Sequence, residues 1–214
     1  MANHVYFNIE LDCNISEAVT VQTIERKMWG NDSTYEVQEL VEAHEFPMYA
    51  HLGYDDSCWY DWYCTNVGAK WINFDDFDLD AGYISGYSAW CAPVAFVEQL
   101  VTFLSHKLNR PIVASMTYED EFRNFIGIDV WDSYEADEPE ETGWYVSHSE
   151  NYIESEYLNA LVEKRFDVDI KSDDFDWFEP MKDVKGNEMS PQEYLDDVVY
   201  NFFDTGDLYY YDTV

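Results

Sequence analysis

The chain has 214 residues, of which 45 are acidic and 11 are basic, so its formal net charge is −34 at pH 7. Hydrophobic residues make up 47% of the chain, which is ample for a packed core and excludes a disordered acidic tail. So many carboxylates repel one another in a compact protein. The role of this charge is therefore the functional question that the sequence raises.

The composition also argues against several classes of protein. The cysteines form no CxxC pair and have no histidine at ligand spacing, so we expect neither a zinc site nor a dense disulfide scaffold. No segment approaches the roughly 20 apolar residues of a membrane span, and the first residues lack a signal-peptide pattern. We expect a cytoplasmic protein with reduced thiols, no cofactor and no membrane association. The cysteines are Cys13, Cys58, Cys64 and Cys91.

The first predicted element is a strand, because residues 4–13 alternate between apolar and polar side chains. Residues 16–44 are ambiguous, and two stretches within them could each form a helix that starts after a Ser or Thr cap. A hairpin is predicted next, from one strand over residues 71–78 and another over residues 83–87. The turn-forming sequence LDAG lies between these two strands.

An amphipathic helix follows the hairpin. Pro93 occupies a favourable first helical position, and apolar residues recur at helical spacing through residues 92–108. Residues 111–119 and 124–133 then predict further strands. A chain that runs strand, helix, two strands, helix and strand is typical of a ferredoxin-like α+β fold, in which helices pack on an antiparallel sheet.

The C-terminal part has a different composition. The acidic run EADEPEET, residues 135–142, contains a proline and predicts a solvated loop near a domain boundary. Beyond it, the pattern predicts a helix over residues 150–166 and a last helix that begins near Pro191. We therefore predict a ferredoxin-like domain over residues 1–132 and an acidic, mainly helical extension over residues 133–214.

The last predicted helix has the clearest boundaries in the sequence. Ser190 is the expected N-cap, and Glu193 completes a capping box with it. Pro191 suits the first turn, and Gly206 suits the C-terminal end. The apolar residues between these signals are expected to face the core, and the acids to face solvent.

The most unusual stretch is WYDWYCTNVGAKW, from Trp59 to Trp71, which holds three tryptophans and two tyrosines. After the predicted hairpin, YSAWCAP leads from Tyr87 to Pro93 and into the amphipathic helix. This arrangement resembles the YubB-type ferredoxin-like proteins of plasmids and bacteriophages. Their hallmark is W-x-x-W...N-W-G-T-K-W, followed by a helix start that is similar to T-A-W-S-P-P.

The resemblance covers about residues 1–132 and has departures. Val67 stands where the family usually has Trp, Ala69 replaces Thr, and Cys91-Ala92 replaces Ser-Pro. The family implies no established enzymatic chemistry, but it implies a mobile genetic element of bacteria as the context. It also implies a structural role for the motif residues, which are Trp59, Trp62, Asn66, Gly68, Lys70 and Trp71.

Two interpretations of the motif follow from its residue types. Gly68 can supply a turn conformation that other residues rarely adopt, and Asn66 can bond its own backbone. The ammonium of Lys70 can be a cation–π partner of the tryptophans. These roles favour a core scaffold, and a surface on which a ligand stacks is the alternative.

The sequence contains no distinctive catalytic or metal-binding pattern. Asp76, Asp78 and Asp80 lack the glycine and glutamate that an EF-hand requires, and the acids at 173–179 could bind a hard cation only weakly. The five histidines are isolated, and no nucleophile elbow is present. Because the chain lacks a phosphate-binding glycine loop and a basic patch, we expect no direct contact with nucleic acid.

The charge is the strongest functional clue. Duplex DNA carries one negative charge per ~1.7 Å of axis, so a net charge of −34 equals that of ~17 base pairs, or ~58 Å of helix. A globule of this length is ~45 Å across. If the carboxylates were concentrated on one face, they would approach the linear charge density of DNA. This strategy resembles that of the Ocr-type DNA-mimic proteins of phages.

We therefore predict a non-enzymatic phage or mobile-element protein that inhibits a bacterial defence system, such as restriction or CRISPR, by DNA mimicry. The predicted partner is a DNA- or RNA-binding host protein with a basic surface in the bacterial cytoplasm, and the sequence is compatible with an oligomer. The predicted partner-binding residues are Asp173, Asp174, Asp176, Glu179, Glu138, Glu140, Glu141, Asp196 and Asp197.

The acidic composition is also compatible with roles that need no mimicry. Salt-adapted proteins are acidic and lysine-poor as well. They usually contain few large apolar side chains, however, whereas this chain is 18% aromatic. The charge could also serve only solubility. The main alternative function is a protein-binding regulatory or accessory module of a mobile element that uses its aromatic surface. An enzyme of unrecognised type is the third hypothesis.

Overall fold

A computed structural model describes residues 3–16, 18–28, 30, 33–135 and 143–208. Within these residues the chain is a mixed α/β protein with a large antiparallel sheet and four α-helices. The strands are β1 (His4–Leu11), β2 (Val21–Lys27), β3 (Thr34–Leu40), β4 (Ile72–Asp78), β5 (Tyr83–Ala89), β6 (Val113–Asp120), β7 (Phe125–Glu135), β8 (Trp144–Glu154), β9 (Met181–Lys182) and β10 (Glu188–Met189). The helices are α1 (Trp59–Asn66), α2 (Val94–Leu108), α3 (Ser155–Phe166) and α4 (Pro191–Thr205).

The main sheet has six strands in the order β4-β5-β1-β6-β7-β8. Strand β1 pairs antiparallel with both β5 and β6, and β4 pairs antiparallel with β5. Strands β2 and β3 form a separate antiparallel hairpin, which lies in the chain between β1 and α1. Four neighbouring strands of the main sheet therefore come from a segment that, apart from this hairpin, runs strand, helix, two strands, helix and strand.

Strand β1 has the alternation that the sequence predicts. Val5, Phe7 and Ile9 are buried, whereas the residues between them are exposed. Helix α2 packs on the main sheet, where its Phe96 ring lies 5.5 Å from the ring of Phe74 on β4. The apolar stripe of α2 is fully buried, so burial of apolar surface holds this helix on the sheet.

The chain divides into two compact units. The first comprises Met1–Glu121 and Asp129–Ser149, and the second comprises Phe122–Ile128 and Glu150–Val214. The second unit has its own apolar core, which is formed largely by α3 and α4. The sequence predicts a single division, between residues 132 and 133, whereas each compact unit consists of two separate segments of the chain. The predicted domain boundary stays a prediction.

The boundaries predicted for the last helix are confirmed. The Ser190 hydroxyl accepts a hydrogen bond from the Glu193 N–H at 3.2 Å, and the Glu193 carboxylate accepts one from the Ser190 N–H at 2.8 Å. Pro191 begins the helix, and Gly206 ends it with a φ of 70°. The signals at both ends satisfy backbone groups that the helix itself leaves unpaired.

Two segments differ from the prediction. The stretches within residues 16–44 that could form helices are the strands β2 and β3, where Val21, Ile24 and Val37 favour extended backbone. The helix predicted over residues 150–166 begins at Ser155, because residues 150–154 complete β8. Helix α1 was not among the predicted elements.

Gly86 permits close packing in the middle of the main sheet. A Cβ atom at this position would lie 2.0 Å from the carbonyl oxygen of Asn73 and 3.0 Å from the ring of Phe7. The adjacent strand β4 has an irregular register between Phe74 and Asp76. A side chain at Gly86 therefore has no space unless the pairing of β4 with β5 shifts.

We expect Gly86→Ala to lower the free energy of unfolding by on the order of 1–3 kcal/mol, because overpacking displaces backbone. Gly53→Ala is the matched control, since a Cβ at Gly53 meets nothing within 4 Å. Urea unfolding followed by circular dichroism measures both variants. Equal unfolding midpoints for the two variants would contradict this account of the sheet.

Candidate functional site

The inner side of the aromatic motif is part of the core of the first unit. Trp62 and Tyr63 on α1 are buried, and the ring of Trp62 lies 5.1 Å from that of Tyr49. Asn66 donates through its side-chain amide to the Trp62 carbonyl at 2.8 Å, and its own carbonyl accepts from the Tyr49 hydroxyl at 2.9 Å. The sequence predicts a bond of Asn66 to its own backbone, whereas its amide bonds the carbonyl of Trp62, one turn earlier in the helix. These contacts fix the end of α1 from inside.

Gly68 is the turn residue of the motif, as predicted. Its φ is 85°, and a Cβ at this position would lie 3.1 Å from the backbone nitrogen of Ala95. The preceding carbonyl, of Val67, accepts a hydrogen bond from the Phe96 N–H at 3.1 Å. The turn therefore packs closely against the start of α2. Only glycine combines this backbone conformation with so close an approach at little cost.

The outer side of the motif is a surface. Trp59 is 39% exposed, Tyr60 42% and Trp90 49%. The rings of Trp59 and Tyr60 meet edge to face with centroids 5.9 Å apart. The ammonium of Lys70 lies 4.6 Å from the Trp90 centroid and 5.8 Å from the Tyr60 centroid. We call Trp59, Tyr60, Lys70 and Trp90 the aromatic platform.

The structure therefore divides the six motif residues between the two interpretations. Trp62, Asn66 and Gly68 are scaffold, while Trp59 and Lys70 belong to the platform. Trp71 is half-buried, and its ring lies 5.5 Å from that of His4 and 5.8 Å from that of Tyr87. The predicted cation–π contact of Lys70 with a tryptophan is confirmed, but its partner is Trp90, which lies beyond the motif.

Trp90 has a strained backbone. Its φ is 73°, a left-handed conformation that costs roughly 1–2 kcal/mol for a residue with a side chain. Its N–H donates to the Asn3 carbonyl at 3.0 Å, and the Ser88 hydroxyl donates to the Cys91 carbonyl at 2.7 Å. The Cys91 thiol also donates to the Gly68 carbonyl at 3.0 Å. These bonds hold a turn in which the Trp90 ring stays half exposed.

Two thiols lie beside the platform. The neighbouring Cys64 thiol raises the pKa of the Tyr60 hydroxyl above its ordinary value. Burial raises the pKa of the Cys91 thiol, and the proximity of Cys64 adds to this rise. A thiol whose pKa is raised holds its proton at neutral pH and is a poor nucleophile. The Cys91 thiol therefore acts here as a hydrogen-bond donor within the turn.

The predicted partner-binding acids fall into three groups. Glu138, Glu140 and Glu141 lie outside the described residues. Asp196 and Asp197 are exposed on α4, although Asp196 pairs with Arg123 at 2.5 Å and both carboxylates accept hydrogen bonds from amide side chains of their own helix. The third group is exposed and belongs to one loop: Asp173, Asp174, Asp176 and Glu179.

This loop, residues 167–180, connects α3 to β9, and we call it the acidic loop. Four of its apolar side chains pack against the core of the second unit, whereas Phe178 is 74% exposed. The four are Val168, Ile170, Phe175 and Trp177. Its acids are all exposed: Asp167, Asp169, Asp173, Asp174, Asp176 and Glu179. The alternation of anchoring and acidic residues holds the loop on the core while its carboxylates remain in water. The Asp176 carboxylate accepts a hydrogen bond from the Phe178 N–H at 2.9 Å, which fixes the position of this carboxylate.

Sequence reasoning missed a polar cluster in the first unit. The Asp129 carboxylate on β7 is 1% exposed and accepts a hydrogen bond from the Tyr118 hydroxyl at 3.3 Å. The imidazole of His148 on β8 stacks on the Trp131 indole, 4.7 Å away, with its Nε2 atom 3.2 Å from the second oxygen of Asp129. The alternation of β7 could have revealed it, since Asp129 shares a face with Trp131 and a buried carboxylate needs a partner.

The Asp129–His148 contact connects β7 to β8. In the parts of the chain that the structure describes, no group of three or more His, Cys, Asp or Glu residues could hold a metal ion. Nor is any helix in those parts long and apolar enough to cross a membrane.

Comparisons of the chain with protein-family models, with curated proteins and with solved structures found no match. The relation of residues 1–132 to YubB-type proteins therefore stays a prediction based on the motif. Any functional assignment has to rest on the geometry of the acidic loop and of the aromatic platform.

The two sides of the motif should respond differently to truncation. We expect Trp62→Ala to lower the free energy of unfolding by about 3–5 kcal/mol, because Trp62 is 9% exposed and its removal leaves a cavity. Trp59→Ala should cost less than about 1 kcal/mol, as surface substitutions do. Chemical unfolding of both variants checks this. Similar losses for the two would show that Trp59 is scaffold as well.

Proposed function

We propose that this protein is a non-enzymatic inhibitor, encoded by a bacteriophage or another mobile element, that acts in the bacterial cytoplasm. It would occupy the nucleic-acid-binding surface of a host defence protein of the restriction or CRISPR type. The observation that carries the proposal is the acidic loop, in which six exposed carboxylates stand on a segment anchored by four apolar side chains. The loop presents negative charge at fixed positions, to which a protein surface that normally binds phosphates can bind.

The bases of the chain neutralise little of this charge. The 11 bases leave a surplus of 34 among the 45 acids. Each of the arginines takes up one carboxylate: Arg26 pairs with Glu39, Arg110 with Asp12, Arg123 with Asp196, and Arg165 with the buried Asp183. Among the carboxylates of the acidic loop, none is in these pairs. The loop therefore presents its charge to solvent, where basic side chains of a partner can reach it.

We also propose that β1, α1, β4, β5, α2 and β6 form a ferredoxin-like arrangement. The antiparallel strand order β4-β5-β1-β6 supports it, because β1 lies between β5 and β6, so that the first strand of the segment pairs with both the third and the last. The arrangement fits a relation to YubB-type proteins, with α3 and α4 as the basis of an acidic C-terminal extension.

The exposed rings favour a second candidate function. Large aromatic side chains are enriched at the energetic centres of protein interfaces, and three of them lie exposed in the platform. A regulatory or accessory module of a mobile element could bind another protein through them, with the charge serving solubility. Such a module would lose its partner when Trp59 and Tyr60 are replaced, and would keep it when the acidic loop is neutralised.

Neutralising the acidic loop should weaken inhibition. We expect the variant with Asp173, Asp174 and Asp176 changed to Asn and Glu179 changed to Gln to inhibit roughly tenfold less well, since exposed ion pairs contribute about 0.2–1 kcal/mol each. Its fold should be kept or stabilised, because repulsion falls. The measurement is DNA cleavage by purified restriction and CRISPR nucleases at two salt concentrations, with a stronger effect at low salt.

The control for this variant removes the same charge elsewhere. Asp75, Asp76, Asp78 and Asp80 are exposed at the β4–β5 hairpin, and all four can be changed to Asn. We expect this control to retain more inhibition than the loop variant. Equal effects of the two variants would assign the activity to total charge alone, and inhibition that salt does not change would contradict electrostatic mimicry.

The stoichiometry of inhibition should separate a decoy from an enzyme. A protein that acts by occupancy reaches full inhibition at about one molecule per binding site and acts without delay. An enzyme would inactivate many nuclease molecules per copy, with a progressive time course. Titration of a purified, inhibited nuclease measures this, and time-dependent inactivation at substoichiometric amounts would exclude the decoy mechanism.

A further inference from the structure

We propose that the aromatic platform is an arginine-binding contact, on which a guanidinium group of a basic protein partner stacks. The proposal deepens the proposed function and rests on it only for the class of partner, a protein whose basic surface normally binds nucleic acid. The net negative charge of the chain would supply long-range attraction, and the platform would supply a short-range contact that distinguishes arginine from lysine.

The platform already holds one cation. The ammonium of Lys70 lies within 6 Å of two ring centroids, 4.6 Å from Trp90 and 5.8 Å from Tyr60, which is the range of a cation–π interaction. Each ring has two faces, and both rings are more than two-fifths exposed. Trp59, beside Tyr60, adds a third exposed ring that no cation of the described chain covers. Aromatic surface is therefore left for a second cation.

The charges around the platform favour a cation over an anion. Asp55, Asp56 and Asp61 lie next to Trp59 and Tyr60 in the chain and are exposed, while Lys70 is the only base from residue 55 to residue 71. A nucleic acid would be repelled by these carboxylates and by the net charge of −34. A partner that carries arginine can stack on a ring and also pair with a carboxylate beside it.

Arginine suits the platform better than lysine. The guanidinium group is planar, stacks on aromatic faces and can bind a carboxylate through two hydrogen bonds, whereas an ammonium is a compact and strongly hydrated point charge. Lysine and arginine respond alike to simple charge attraction. A preference for arginine is therefore the signature of stacking, and it can be measured apart from the effect of total charge.

The strain at Trp90 supports a binding role for the platform. A bulky residue at a φ of 73° persists only where its surroundings impose that conformation, and such residues cluster at functional sites. The turn is imposed here by the hydrogen bonds of Trp90, Ser88 and Cys91. The turn exposes the Trp90 ring beside Lys70. A residue with a purely structural role would not need to be exposed in this way.

The test uses two nonapeptides as probes, one with alternating arginine and glycine and the other with alternating lysine and glycine. We expect the full chain to bind the arginine peptide about threefold or more tightly than the lysine peptide in isothermal titration calorimetry at moderate salt. In the double variant Trp59→Leu and Tyr60→Leu, the preference for arginine should be lost, because the affinity for the arginine peptide should fall more than that for the lysine peptide. Leucine keeps the helix propensity of α1.

Two further variants complete the test. Trp90→Asn removes the platform ring that contacts Lys70 most closely, and asparagine tolerates the left-handed backbone at this position. This variant should reduce the preference for arginine. Tyr200→Leu is the matched control, because Tyr200 is 72% exposed on α4 in the second unit and should not affect the preference. Circular dichroism verifies that each variant is folded.

The outcomes separate this proposal from the proposed function. Equal binding of the two peptides by the unaltered chain, or an arginine preference that survives the loss of the platform rings, would overturn the proposal while leaving charge mimicry intact. Failure to bind either peptide would overturn it as well. A preserved arginine preference in a protein that inhibits no DNA-binding nuclease would support the platform and contradict only the proposed function.

Discussion

Hydration of the carboxylates is the constraint on which the rest of this structure depends. Among the described acids only Asp120, Asp129 and Asp183 are buried. Each has a polar partner, which is Asn3 for Asp120, Tyr118 and His148 for Asp129, and Arg165 for Asp183. Although burial acts to raise it, hydrogen bonds from Asn187 and the charge of Arg165 hold the pKa of Asp183 below its usual value. A carboxylate buried without such partners would cost several kcal/mol, so the other acids remain at the surface.

An acidic surface has to be fixed to the protein by something other than charge. In the acidic loop, apolar side chains do this. Phe175 and Trp177 pack on the core of the second unit, and the exposed Asp176 lies between them in the chain. Large rings suit this anchoring role, because they bury much area per residue. The same residue types at the platform remain exposed, and there they are available for contact with a partner.

The sequence predicted most elements whose periodicity agrees with their burial. Strand β1, the β4–β5 hairpin, α2 and the capped helix α4 lie where their patterns place them. The stretches that form β2 and β3 could not be assigned, because only three of the fourteen paired positions carry the Val and Ile side chains that distinguish a strand from an amphipathic helix. The start of α3 was predicted too early, since the pattern that precedes Ser155 fits both a helix and the exposed strand β8.

The candidate sites were less predictable than the fold. The motif from Trp59 to Trp71 was identifiable from the sequence. Which of its rings are exposed, however, depends on the contact of Trp62 with Tyr49, which lies outside the motif. Trp90 joins the platform only through a left-handed turn that no local signal specifies. The Asp129–His148 pair required knowledge of which strands are neighbours in the sheet.

The central claim is that the acidic surface takes the place of nucleic acid on a partner protein. It is tested most directly by adding the protein to a preformed complex of an inhibited nuclease with fluorescently labelled duplex DNA and following fluorescence anisotropy. Competition for one surface predicts that the DNA is released completely and that the midpoint of release shifts in proportion to the DNA concentration. A ternary complex, in which the labelled DNA stays bound while the protein is also bound, would contradict the claim.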